Sequence, residues 1–375
     1  MSSPLAPASY SWEATNEAVA ERYRIPVEQI IRFDLNTSPT PPDLVGRILA
    51  ANRFETSLSE YPPSDYRRLA QAAAETYGVD RGEILVGAGA DEILDMAAKA
   101  FLAPGDAAVV AVPTYSMYRV VTEQRGARVV PVPRLGPRDG YAIDVTAMRH
   151  AGREAALVWL CSPNNPTALA EPAGAIEHLL EGLATDAATD GRPSPAVILD
   201  EAYAEFAGTT LLPLQAKYPK LVIVRTASKA YALAGLRVGF GIAPRETLER
   251  MEPYRPPGSV STISVTVVTA ALRDQAALVD NLDRIAAERE RLARSLAELG
   301  WDVQPSVTNF LLLAFGSPER ADRVADGLLG RGLVPRTFPQ GHPLASFLRV
   351  TVRAKPENDK LIEAAWAIAA EEAPP

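Results

Sequence analysis

The chain has 375 residues, 47% of them hydrophobic and 22% charged, with a net charge of −8. That balance describes a folded protein of about two domains, and it argues against disorder and against nucleic acid or an anionic membrane as the main partner. A single cysteine, Cys161, excludes intrachain disulfides and multi-cysteine zinc sites; three scattered histidines form no HExxH, so no metal is expected.

No apolar run reaches the roughly 18 to 20 residues of a membrane span. The opening "MSSPLAPASYSWEATNE" lacks the basic start and apolar core of a signal peptide, so a cytoplasmic location is expected. From Trp12 to Ile31 the pattern predicts a short amphipathic helix and a turn. "TSPTPPD" then breaks regular structure with three prolines. Seven short apolar runs follow: "ILVG", "AAVVAVP", "ARVVPVP", "ALVWLCSP", "AVILDEAY", "LVIVRTAS" and "LRVGFGIA". Alternating with helical stretches, they predict an α/β fold with a largely parallel sheet of about seven strands, buried on both faces. "LATDAATDGRPSP", from Leu183 to Pro195, is expected to be a surface loop. After the break "PYRPPGS", a long helix from about Val265 to Leu299 is expected. The strand runs "NFLLLAF" and "FLRVTVR", a helix near Arg320 to Arg331 and a final Ala-rich helix then predict a smaller α+β unit. The expected division is residues 1–40, packing with the small domain or a partner subunit; 41–255, the large domain; and 256–375, the small C-terminal domain.

Chemistry-bearing residues cluster at the predicted C-terminal ends of strands, where open α/β sheets place ligands. "GAGADEIL" opens a helix after "ILV", so Gly89, Ala90 and Asp91 offer free N–H groups to a phosphate; read alone, it is also a plain strand–helix turn. Tyr115 in "VPTYSMY" is placed to stack on a planar ring or to sit in the core. "LCSPNNPTAL" supplies Asn165, either a turn residue or an amide donor to a phenolate-like oxygen. In "VILDEAYAEF", Asp200 ends an apolar run and needs a cationic partner, a pyridinium nitrogen or a salt bridge. "RTASKAYALAGLRVGF" carries Thr226, Ser228 and Arg237, the groups of a phosphate cradle, beside Lys229, whose amine can form an imine with an aldehyde cofactor.

In this order the motifs resemble the fold-type I pyridoxal phosphate enzymes, within them the class I/II aminotransferases, and most nearly the histidinol-phosphate aminotransferase family. The resemblance runs from "VEQIIRFDLNTSP" through "YPPSDYRRLAQAAAETYGV" to "FLRVTVR". It implies pyridoxal 5′-phosphate as cofactor, with Lys229 as the covalent and proton-shuttling amine and Asp200 paired to the ring nitrogen. Asn165 and Tyr203 would face the ring's O3′, and Tyr115 its plane. Gly89, Ala90, Asp91, Thr226, Ser228 and Arg237 would hold the phosphate together with Tyr61 from a partner subunit, which implies a homodimer with shared active sites. Arg349 resembles the clamp for the substrate carboxylate, Arg336 the reader of a substrate phosphate, and Asn36 lies in the pocket segment. Two departures stand out: the family's NNPTG reads "NNPTA", with Ala168 at the glycine, and its NENP reads "NTSP". The implied substrates are histidinol phosphate and 2-oxoglutarate. Alternatives on the same scaffold are an aromatic aminotransferase, a threonine-phosphate decarboxylase and an inactive homologue.

Overall fold

A computed structural model of the chain describes residues 13–372. The described chain forms two compact units: residues 41–165 with 170–278, and residues 13–40 with 166–169 and 279–372.

The first unit is built on seven strands: Ile84–Gly87, Ala107–Val112, Arg128–Pro133, Leu157–Cys161, Ala196–Asp200, Leu221–Thr226 and Gly239–Ile242. These are the seven runs expected from the sequence. In sequence rank they lie across the sheet in the order 1-7-6-5-4-2-3, and only Gly239–Ile242 is antiparallel to its neighbours. The apolar runs are continuous because both faces are covered: Val197 and Leu199 enter one core cluster, while Ala196 and Ile198 enter another. Arg128–Pro133 carries two prolines and lies at the sheet's edge, where a missing N–H breaks no ladder.

Two elements differ from expectation. The long helix is two, Thr262–Arg273 and Gln275–Glu298, bent by 80°. Asp274 sits between them with non-helical backbone, and its carboxylate accepts from Ala277 N–H at 3.2 Å, starting a second helix. The supposed loop from Leu183 is helical as far as Thr189, within Ala175–Thr189. Buried Leu183 and Ala187, and the bidentate Arg149–Asp186 pair at 2.7 Å, override the weak helix preference of its Thr and Asp residues. The division between units also falls at Leu278, later than the expected 255/256, because Thr262–Arg273 packs on Arg67–Tyr77 of the large unit.

In the second unit, Phe310–Ala314 lies between Phe347–Thr351 and Asp302–Val303 in an antiparallel sheet, with helices Pro318–Leu329 and Lys355–Glu372. The N-terminal segment is stitched into it: Ile31–Arg32 pairs in parallel with Leu333–Val334, after a helix at Asn16–Tyr23. The part of that segment before Glu13 lies outside the described residues. Among the described residues no single helix is long and apolar enough to cross a membrane.

Candidate active site

Six parallel strands of the large sheet end at one edge, and the antiparallel seventh begins there. Gly87 and Thr226 are both register partners of Gly239, and Cys161 is the partner of Asp200. The turns leaving this edge carry Gly89, Ala90, Asp91, Tyr115, Asn165, Asp200, Tyr203, Thr226, Ser228, Lys229 and Arg237, as expected for an open α/β sheet. Tyr61 lies on none of these turns but in the segment before Arg67–Tyr77, and it is 89% exposed.

Asp200 is the electrostatic centre. It is buried, and one carboxylate oxygen accepts from the Tyr118 hydroxyl at 2.9 Å while the other accepts from Ala202 N–H at 3.0 Å. Burial pushes its pKa up to about 6 and the Asp91 charge adds to the rise; Tyr118, Ala202 N–H and Lys229 oppose it. Tyr118 was not legible as a site residue, because it reads as the buried face of helix Met117–Gln124; the only hint is its spacing of three from Tyr115. Its ring stacks on Trp159 at 5.5 Å and meets Tyr115 edge-on at 5.8 Å. Burial holds the Tyr118 hydroxyl well above the usual tyrosine range and pushes the Cys161 thiol up to about 12, so both stay protonated behind Asp200.

Lys229 is half-buried, its ammonium 5.8 Å from the centroid of the Tyr203 ring. Of the two asparagines, Asn164 is a staple: it accepts from the Thr114 hydroxyl at 2.7 Å and donates to the Pro113 carbonyl at 3.1 Å. That joins two strand-end turns and sets the backbone that presents Asn165.

The backbone at the expected anion cradle is closely packed. Helix Ala90–Phe101 starts after Gly89, whose φ is +86°. A Cβ on Gly89 would meet the Arg237 guanidinium at 2.5 Å, and one on Gly239 would meet Gly89 C at 2.3 Å and Ala90 N at 2.5 Å. Thr226 and Ser228 hydroxyls lie 2.9 Å apart beside it. The Asp91 carboxylate is an orienter: it accepts from Arg237 at 3.2 Å and from the Tyr115 hydroxyl at 3.0 Å, leaving anion binding to N–H, hydroxyl and guanidinium groups. Gly239→Ala is expected to lose about 1–3 kcal/mol of stability and most of the site's affinity for a phosphate-bearing cofactor. Thermal denaturation and a cofactor titration check this, and wild-type affinity in that variant would overturn the cradle.

In the second unit Arg336 and Arg349 exchange both backbone hydrogen bonds, at 2.9 and 3.0 Å. The Arg349 guanidinium donates to the Asp34 carbonyl and lies 5.3 Å from the Phe310 ring centroid. Asn36 has φ +52°, its N–H donates to Thr351 Oγ1 at 2.9 Å and its carbonyl accepts from Asn309 at 3.0 Å. Ala168, at the family's glycine position, is buried with φ +65°, a conformation that costs an L-residue roughly 1–2 kcal/mol. Arg336 pairs with Glu13, a partner that nothing in the sequence marked.

The family model for aminotransferase class I and II matches residues 31–368, and the chain belongs to that family. It is 35% identical over 356 residues to a histidinol-phosphate aminotransferase of Roseiflexus castenholzii, covering 92% of each chain. It is likewise 35% identical over 353 residues to one from Thermococcus gammatolerans, covering 92% of this chain and 94% of the relative. Among solved structures it is similar to histidinol-phosphate aminotransferase from Sinorhizobium meliloti in complex with pyridoxal 5′-phosphate, with a TM-score of 0.83 at 27% identity over 97% of this chain and 96% of that one.

Proposed function

We propose that the chain is a pyridoxal phosphate-dependent histidinol-phosphate:2-oxoglutarate aminotransferase of histidine biosynthesis, acting as a cytoplasmic homodimer. What carries the reading is one sheet edge that holds a buried carboxylate, a half-buried lysine and a backbone-lined anion cradle, in a chain 35% identical to histidinol-phosphate aminotransferases. These groups fit the cofactor: Asp200 is buried without a full ion-pair partner of its own, and the cradle closes so tightly that a single Cβ would fill it.

When bound, pyridoxal phosphate supplies an aldehyde that couples to amines and a ring that takes up the electrons released at the donor's α-carbon. Lys229 Nζ holds that aldehyde and moves the proton at the donor's Cα. Asp200 holds the proton on the ring nitrogen, and Tyr118 orients Asp200. Asn165 and Tyr203 would donate to the ring oxygen, and Tyr115 would cover the ring. The N–H groups of the turn at Gly89, Ala90 and Asp91, the Thr226 and Ser228 hydroxyls and Arg237 bind the phosphate. Tyr61 of the partner subunit completes that cradle; its 89% exposure suits a side chain that reaches out of its own fold. Arg349 binds the carboxylate of the 2-oxo acid, Asn36 lines the substrate pocket and Arg336 reads the donor's phosphate.

A half-reaction screen with histidinol phosphate, phenylalanine, tyrosine and threonine phosphate tests the assignment. Fastest conversion of histidinol phosphate supports it, whereas preference for an aromatic acid or release of CO₂ from threonine phosphate replaces it. Arg336→Ala is expected to raise KM for histidinol phosphate roughly 10- to 100-fold, the worth of a charge-assisted hydrogen-bond set, and to leave phenylalanine within about threefold. Equal losses on both donors would remove Arg336 from phosphate recognition.

A further inference from the structure

Arg336 has a resident anion in its own chain. Its Nε lies 3.6 Å from Glu13 Oε1, and the same oxygen accepts from the Thr337 backbone N–H at 2.9 Å and the Thr337 hydroxyl at 3.0 Å. Glu13 Oε2 is 3.2 Å from that hydroxyl. The two charged side chains are only 20% and 18% exposed. Guanidinium, amide N–H and hydroxyl thus converge on one carboxylate oxygen, which is the donor set that an oxyanion of a substrate requires. Next to it, His342 stacks on Phe338 at 5.0 Å, and burial and the Arg336 charge hold its pKa below the usual histidine range.

We infer that Arg336 and Thr337 form an anion-binding site whose internal occupant is Glu13, and that Glu13 is a specificity-determining residue for the amino donor. The inference rests on the reading of Arg336 as the phosphate reader. A donor phosphate brings a charge of about −1.5 to −2 and three acceptor oxygens, so it outcompetes a single carboxylate for the same donors. The tethered carboxylate nevertheless competes, at an effective concentration on the order of millimolar. A donor with an uncharged far end leaves Glu13 in place, and the Glu13–Arg336 pair then keeps a carboxylate against a largely buried guanidinium. Glu13 therefore acts in opposite senses on the two donor classes: it weakens phosphate-bearing donors and supports uncharged ones.

The test uses the cofactor-loaded dimer, in which the cradle at Gly89 and Arg237 is already filled. Inorganic phosphate is titrated by calorimetry into wild type, Glu13→Gln, Glu13→Ala and Arg336→Ala, and KM is measured for histidinol phosphate and phenylalanine. Both Glu13 variants are expected to bind phosphate roughly three- to tenfold tighter, the worth of one charge-assisted contact, with a matching fall in KM for histidinol phosphate and a rise for phenylalanine. Unchanged or weaker phosphate binding in both Glu13 variants, with binding lost in Arg336→Ala, would overturn the role of Glu13 and leave Arg336 as the phosphate reader. Wild-type phosphate binding in Arg336→Ala would overturn both. The calorimetric readout does not depend on turnover, so a purely structural loss in a variant is separated from a change in anion competition.

Discussion

Lys229→Ala is expected to fold, to bind the cofactor weakly and without a covalent link, and to lose at least about 10⁴-fold in turnover, the combined contribution of a covalent amine and a positioned proton carrier. The amine is replaceable by no neighbour. Lys229 follows directly on the Thr226–Ser228 hydroxyl pair, and Arg237 on the same edge pairs with Asp91 at 3.2 Å and offers a delocalised guanidinium in place of a nucleophilic amine. Borohydride treatment followed by mass measurement reads the covalent link, and single-turnover kinetics read the proton transfer. Borohydride-stable cofactor at another residue, or turnover within tenfold of wild type, would move the chemistry away from Lys229. The same substitution removes a positive charge that lowers the Asp200 pKa. Asp200 of the cofactor-free variant should therefore titrate above its already raised value near 6, which gives a second readout independent of activity.

The fold and the site were legible to different depths, for reasons that lie in burial. The seven large-sheet strands could be read because a strand covered on both faces has no polar alternation to confuse it with a helix. Asp200, Lys229 and Arg237 were legible because each is a charged residue just past an apolar run, where solvation alone gives no reason for it. Tyr118 was not, since an aromatic on a helix's inner face reads as packing; its hydroxyl contact to Asp200 is a tertiary fact. The break at Asp274 turns on one side-chain cap inside a stretch of uniformly good helix formers. The helical turns beyond Leu183 depend on ion pairs with Arg149 and Arg153, which lie on another helix and its cap. Glu13 is the extreme case: 324 residues separate it from Thr337, and a glutamate ahead of a surface helix carries no sign of its partner.

Asp200→Asn divides stability from catalysis, and the two should move in opposite directions. An unfolded aspartate titrates near its ordinary value of 3.8, whereas burial raises Asp200 in the folded chain to about 6. Between those values the folded state binds the proton more tightly than the unfolded state does. Stability of the cofactor-free protein therefore falls as pH rises through that window, and the full cost is present above about pH 6. The shift corresponds to a penalty on the order of 3 kcal/mol. Asparagine has no charge to bury, and its carbonyl oxygen still accepts one of the bonds from Tyr118 or Ala202 N–H. Cofactor-free Asp200→Asn is thus expected to melt a few degrees above wild type at pH 8 and to converge with it near pH 4. The charges facing this carboxylate are Asp91, which raises the penalty, and Lys229, which lowers it, while the Tyr118 hydroxyl and Cys161 thiol remain neutral throughout. With cofactor the sign should reverse: if Asp200 takes the proposed place opposite the ring nitrogen, wild type gains more from binding than the variant does. Turnover of the variant should fall roughly 10²- to 10⁴-fold, the 3–5 kcal/mol of a buried ion pair that loses one partner. A cofactor-free variant less stable than wild type at every pH would show that Asp200 is held as a structural hydrogen-bond acceptor. If turnover were unchanged as well, a charge at that strand end would have no part in the reaction.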